Sequence, residues 1–272
     1  ARNQTLYRQT FSRGHAQGSL ETVGRVQNRR GTRVRFHPDA QIFGSLKFDP
    51  RRLFKMARSK AYLFGGVEIR WRCAPALLEG REDVPAEAVH RFPGGLSDYL
   101  ARDIEGKELV LDSLFSGKVT KPGSHGSLEW AVAWTVTDDG VSHSYCNTIP
   151  TPEGGTHESG LRVALLRALR EHAERVNQAK RMTSVTTDDV MATCASMLSV
   201  FIREPEFQGQ TKDKLATVEA SRIVETAVRD AFDHWLAASP AQANKLLDWV
   251  IDRAEERLRR RQEKEVARKS AT

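Results

Sequence analysis

The chain has 272 residues, 39% of them hydrophobic, enough apolar material to bury a core, which excludes global disorder. No apolar run approaches the roughly 18 residues of a membrane span, and no charged start followed by an apolar stretch marks a signal peptide. The formal net charge is +7, with eight arginines against one acid in residues 1–36 and eight basic residues against four acids in residues 253–269. Such clusters favour polyanions, nucleic acid above all, although a solvated charged helix explains the second equally well.

Cys73, Cys146 and Cys194 are odd in number and lack metal-site spacing, as expected of buried, reduced thiols in a cytoplasmic protein. The histidines show no paired ligand pattern, so no zinc or other metal site is expected.

In chain order, residues 4–13, 19–26 and 32–36 read as strands, with Thr32, Val34 and Phe36 alternating onto one face before His37-Pro38-Asp39 breaks the run. The opening, Ala1 followed by a polar run, reads as a strand joined midway, which points to a fragment of a longer protein. Asp49-Pro50 starts a helix, with Asp49 as N-cap and Pro50 at the first helical position. Gly65-Gly66 stops it, and residues 67–71 alternate as a strand. Residues 74–92, rich in Pro, Glu and Arg, read as a surface insertion, and Gly94-Gly95 opens a short helix. A domain boundary is placed at residues 104–108.

Residues 127–135 alternate cleanly, with Leu128, Trp130, Val132 and Trp134 on one face. Asp138-Asp139-Gly140 is a hairpin signal that predicts residues 141–149 as the partner strand. Gly154-Gly155 then permits a sharp turn and a close backbone approach, and Thr156 is a candidate N-cap. The helix that follows carries Leu161, Ala164, Leu165, Ala168, Leu169, Ala173 and Val176 on one stripe. Thr186-Thr187-Asp188-Asp189 starts another helix, residues 197–203 read as a strand, and Gly209-Gln210-Thr211-Lys212 forms an exposed loop. Two helices close the chain, the first along Val224, Ala227, Val228, Ala231, Phe232 and Trp235, the second from Ser239-Pro240 along Leu246, Leu247, Val250, Ile251, Ala254 and Leu258. Strands, helix, strand, helices define an α+β fold.

On residue chemistry alone, Gly-Gly-Thr before a helix either turns the chain or presents free N–H groups to an anion, and it is not a Walker motif. Lys212 on its loop is a mobile point charge suited to a phosphate oxygen, with the Gln210 amide beside it. No nucleophile with a base and no facing carboxylate pair emerges, so no catalytic residue is assigned.

Taken together, Ile149-Pro150-Thr151-Pro152-Glu153-Gly154-Gly155-Thr156-His157-Glu158-Ser159-Gly160-Leu161 and Gln210-Thr211-Lys212-Asp213-Lys214-Leu215 resemble two signatures of the B subunits of bacterial type IIA DNA topoisomerases. Pro150-Thr151 is similar to the topoisomerase IV branch, whereas the gyrase branch more often carries Asn-Thr there. The resemblance implies that residues 1–106 are the closing part of a GHKL-type ATPase domain. Residues 107–262 would be a transducer with the ribosomal-protein-S5-like fold, and residues 263–272 a charged linker. It implies ATP as cofactor, with Lys212 on the γ-phosphate, Gln210 beside it, Thr32 near the adenine and Val34 on the wall of the same pocket. Mg²⁺ would be held mainly by residues upstream of Ala1, and the DNA-cleavage Mg²⁺ by a domain downstream. The implied partners are duplex DNA, the topoisomerase A subunit and a second B subunit. Arg257, Arg259, Arg260 and Arg261, gathered in little more than one helical turn, make the C-terminal helix a candidate lining for the cavity that would hold the transported duplex. The fragment alone is expected to be inactive. A non-enzymatic, S5-like nucleic-acid-binding module is the rival from a different class.

Overall fold

The computed structural model describes residues 1–44, 47–121, 123, 125–137 and 140–270, and the chain separates into two units, residues 1–53 and 54–272. In the first unit β1 (Thr5–Arg8) is followed by the two-residue strands β2 (Phe11–Ser12) and β3 (His15–Ala16) and by β4 (Glu21–Arg25). β1 pairs antiparallel with β4, and β2 with β3. The single strand expected over residues 4–13 is thus broken at Gln9-Thr10 into β1 and β2, and Arg13 and Gly14, both at positive φ, turn the chain from β2 into β3. The strand expected over residues 32–36 does not form. That run is exposed and carries neither helix nor strand, and among the described residues no strand pairs with it; alternation without a ladder partner makes no strand. The one-turn helix α1 (Ala40–Phe43) follows, with the Asp39 carboxylate accepting from the Gln41 N–H at its N-cap.

Helix α2 (Pro50–Leu63) starts where Asp49-Pro50 placed it, with the Arg51 N–H donating to Asp49 Oδ1 at 3.1 Å. β5 (Ile69–Arg72) pairs antiparallel with β6 (Glu87–His90), so the stretch read as a surface insertion contributes a strand. Its Glu-Ala-Val-His alternation was obscured by the surrounding Pro, Glu and Arg. Helix α3 (Leu96–Asp103) is the short helix expected after Gly94-Gly95.

The second unit is built on a five-stranded sheet of β7 (Phe115–Val119), β8 (Ser127–Trp134), β9 (Val141–Cys146), β10 (Ile149–Pro150) and β11 (Cys194–Phe201). Between β10 and β11 run α4 (Thr156–Arg175), α5 (Ala179–Met182) and α6 (Thr187–Met191). Beyond the sheet lie β12 (Phe207–Gln208), β13 (Lys214–Leu215), α7 (Val218–Ala238) and α8 (Pro240–Ser270). Helix α8 thus runs on through residues 263–270 of the stretch expected to be a charged linker.

The strand order is β10-β9-β11-β8-β7. β8 and β9 are not partners, which corrects the hairpin expected from Asp138-Asp139-Gly140; Asp138 and Asp139 themselves lie outside the described residues. β11 inserts between them, antiparallel to β8 and parallel to β9. Parallel neighbours need a crossover of a dozen residues or more, and α4 to α6 supply it. The preference has a physical origin: residues 194–200 are buried on both faces, so this run belongs at the sheet centre, whereas β9 begins exposed at Val141. Residues 141–149 also do not run as one strand. Asn147 and Thr148, at φ of 50° and 65°, turn the chain back so that β10 pairs with β9.

One sheet face, with Leu128, Trp130, Val132, Trp134, Leu198 and Val200, packs with α4, α7 and α8 into the main core. The opposite face, with Ala131, Ala133, Ala195 and Met197, packs with Leu96 and Leu100 of α3. α4 and α7 meet closely because Gly160 has no side chain; a Cβ there would press on the Ser221 backbone. α7 buries Ala220, Val224, Val228, Phe232 and Leu236 at four-residue spacing, while Ala227, Ala231 and Trp235 of the expected stripe are only half-buried against the core.

Candidate functional site

The two sequence stretches singled out above meet in space. β12 and β13 pair antiparallel and carry the loop of residues 209–213 between them. The base of this hairpin is joined to the Gly154-Gly155 turn. The Leu215 N–H donates to Gly154 O at 3.0 Å, and the Glu153 N–H donates to Asp213 O at 3.0 Å. Gly155, at φ 138°, forms a parallel bridge with Leu215. A Cβ on Gly155 would meet the Leu215 nitrogen at 2.6 Å and its Cα at 2.9 Å, with the carbonyl oxygen closer still. The glycine is required twice, for its conformation and for the approach.

Thr156 is not the N-cap it was expected to be. Gly155 takes that place, and Thr156 is the first helical residue. Its hydroxyl donates instead to Thr217 O at 2.6 Å, while Thr217 Oγ1 accepts the Glu206 N–H at 2.8 Å. The first turn of α4 holds Glu158, which complements the positive end of the helix dipole and pairs with Arg162 at 3.2 Å. A cleft of about 500 Å³ beside it is lined by Glu153 and Glu158 as well as Arg162 and Lys214. Two carboxylates at this helix start favour the turn role of the glycines over an anion site.

His157 is fully buried. Its Nε2 lies 3.1 Å from Thr151 Oγ1, which lies 2.8 Å from Ser144 Oγ on β9, while Nδ1 has no partner among the described residues. Burial pushes the imidazole pKa down to about 4, so it is neutral at pH 7. This polar chain ties the start of α4 to the sheet. Burial likewise raises the Cys146 thiol to about 11 and raises Cys194 further, leaving both as inert core groups. Cys73, expected to be buried, is only half-buried.

Lys212 stands at φ 61° on the exposed loop, its Nζ 5.8 Å from the Phe207 ring centroid. Among the described residues no carboxylate pairs with it, so its ammonium is available to a phosphate oxygen. Gln210 is exposed on the same loop. Thr32 and Val34 belong to the first unit and lie two residues apart on its irregular run, both exposed, Val34 at 79%. Among the described residues no group of three or more His, Cys, Asp or Glu side chains is placed to hold a metal ion. No helix among them is long and apolar enough to cross a membrane.

Of the basic residues on α8, Arg257 is committed inward. Its Nε and Nη2 donate to the two oxygens of the buried Asp189 carboxylate at 2.7 and 3.0 Å. Burial alone would raise the Asp189 pKa, but hydrogen bonds from Arg257 and Thr186 outweigh it and hold the carboxyl below its usual range. Asp189 also closes the capping box of α6 with Thr186. Sequence reasoning placed this helix start and missed the ion pair, whose only local signal was the Thr-x-x-Asp spacing. Arg260 pairs with Glu256, and Arg261 with Glu265 at 3.5 Å.

A family model described as DNA gyrase B matches residues 95–266. The chain is 59% identical over its whole length to the B subunit of DNA topoisomerase 4 from Bartonella bacilliformis, 51% over 97% of its length to that of Caulobacter vibrioides, and 42% over 98% to that of Rickettsia conorii. It spans only 39%, 38% and 40% of those proteins. Among solved structures, the 43K ATPase domain of Thermus thermophilus gyrase B, in complex with an aminocoumarin, superposes with a TM-score of 0.77 at 29% identity, covering 97% of this chain and 69% of that one. The topoisomerase IV ATP-binding domain of Francisella tularensis, in complex with a small-molecule inhibitor, superposes with a TM-score of 0.79 at 26% identity, covering 95% and 68%.

Proposed function

The chain belongs to the DNA gyrase B family, and on that premise we propose that it is part of the B subunit of an ATP-operated type II DNA topoisomerase of the topoisomerase IV branch. Residues 1–106 then close the ATPase domain and residues 107–262 form the transducer. Two B subunits close around a DNA duplex when ATP binds, and the duplex passes through a break made with the partner A subunit, in the cytoplasm. The similarity to B subunits of three named bacteria supports the branch. The observation that carries the reading is Lys212, an ammonium that pairs with no carboxylate among the described residues, at the tip of an exposed hairpin whose base is bonded to the start of α4.

A charge that touches only the terminal phosphate binds ATP better than ADP. That difference is what a nucleotide-driven movement needs, since a ligand shifts an equilibrium only by its differential affinity for the two states. A charge-assisted hydrogen bond of this kind contributes about 1.5–3 kcal/mol. Gln210 adds an amide beside it, and Thr32 and Val34 serve the adenine end. Mg²⁺ accompanies the nucleotide in this reading, but the described residues supply no ligand set for it, and no step here runs through it.

The test is ATPase activity of the full-length protein, wild type against Lys212→Ala, with and without duplex DNA. DNA-stimulated turnover is expected to fall at least tenfold in the variant; unchanged turnover would remove Lys212 from the nucleotide. The chain purified by itself is expected to turn over no ATP, and turnover abolished by Lys212→Ala would overturn that expectation.

A further inference from the structure

We infer that Gly155 and Thr156 are positioning residues for the nucleotide contact: the start of α4 sets the position of the hairpin that presents Lys212. The inference rests on the reading of Lys212 as a phosphate contact.

Four hydrogen bonds carry the argument. The Glu153 N–H holds the carbonyl of Asp213, the residue after Lys212, and the Leu215 N–H is held by Gly154 O. The Thr156 hydroxyl holds Thr217 O, and the Thr217 hydroxyl in turn holds the Glu206 N–H at the other foot of the hairpin. Leu215 between them is 1% exposed and belongs to the main core. Both feet of the loop therefore converge on the first residues of α4. The next residue after Thr217 is Val218, where α7 begins, and α7 lies against α4 at Gly160 with no side chain between them. Packed interiors transmit small shifts rather than absorbing them. The feet of the loop are thus anchored on the buried Leu215 and on the first residues of α4 and α7. Thr156 touches no nucleotide in this arrangement and acts only through the hairpin.

The experiment compares the full-length wild type with Lys212→Ala, Thr156→Val, Thr156→Ser and the double variant Lys212→Ala/Thr156→Val. The readout is binding of the β,γ-imido analogue of ATP and of ADP. Valine removes the hydroxyl donor while keeping a branched side chain, and serine restores the donor. Thr156→Val is expected to weaken the analogue by about three- to tenfold, the scale of one hydrogen bond, and to leave ADP unchanged. Thr156→Ser should bind as wild type, and the double variant should bind no more weakly than Lys212→Ala, since a residue that acts through another adds nothing once that other is gone. If Lys212→Ala itself leaves the analogue-to-ADP ratio unchanged, the nucleotide reading fails. If Lys212→Ala lowers the ratio and Thr156→Val does not, or the two losses add, the positioning role is overturned while the nucleotide reading stands. Amide hydrogen exchange on the wild type needs no substitution. The analogue is expected to slow exchange in residues 153–159 together with residues 209–215, and protection of the loop alone would overturn the inference.

Discussion

Lowering the pH from 7 toward 4 should loosen the start of α4 through His157. The imidazole is fully buried, hydrogen-bonded at Nε2 to Thr151 and without a partner at Nδ1 among the described residues, and burial holds its pKa at about 4 against 6.5 for an exposed histidine. The unfolded chain takes up a proton as the pH falls through 6.5, and the folded chain does so only near 4. The contribution to stability is therefore fully present above pH 6.5 and is lost between pH 6.5 and 4. A fall from 6.5 to about 4 corresponds to roughly 3.4 kcal/mol, lost at about 1.4 kcal/mol per pH unit. Urea unfolding followed by tryptophan fluorescence reports this directly, because Trp130 and Trp134 lie in the core beneath α4. Other titrating groups are removed by subtracting a His157→Gln variant measured at the same pH values. The advantage of the wild type over the variant should shrink steadily from pH 6.5 to 4. Parallel pH curves, or a His157 ring resonance titrating near 6.5, would refute the reasoning.

Gly155→Ala should cost about 1–3 kcal/mol, since it places a side chain at φ 138° against the Leu215 backbone; thermal unfolding gives the loss and amide exchange should show it concentrated in residues 207–215. Arg257→Ala leaves the Asp189 carboxylate buried at 4% exposure without its bidentate partner, at a cost of about 1–3 kcal/mol. The loss should shrink at acid pH, where Asp189 takes a proton, because a carboxyl held below its usual range stabilises above the unfolded pKa and ceases to do so as the pH falls through the folded one. Lys212→Ala, by contrast, should change stability by less than about 0.5 kcal/mol, because the side chain is exposed and pairs with no carboxylate among the described residues; a larger shift in the urea midpoint would mean that the loop is part of the core.

The longer helices were legible because their signals are local, whereas the one-turn helices α1 and α5 were not read. The Asp49-Pro50 start, the Thr186-Thr187-Asp188-Asp189 start and the apolar stripes of α4, α7 and α8 need only neighbours three or four residues apart. The face of β8 formed by Leu128, Trp130, Val132 and Trp134 followed for the same reason, from a period of two. Strand partnership was not legible. Asp138-Asp139-Gly140 reports where the chain reverses, not which strand lies alongside, and only burial on both faces of residues 194–200 drives β11 between β8 and β9. Thr32-Arg33-Val34-Arg35-Phe36 shows the complement: alternation without a ladder partner yields no strand. The same division holds at the site. The sequence by itself marked Gly154-Gly155-Thr156-His157 and Gln210-Thr211-Lys212 as unusual stretches. The bonds of Gly154 to Leu215 and of Thr156 to Thr217, which make them one structure, join residues about 60 apart, as does the Asp189–Arg257 pair at 68. A hydrogen bond leaves no period in the chain when its partners are distant in sequence, so those contacts were decided only when the tertiary fold brought their partners together.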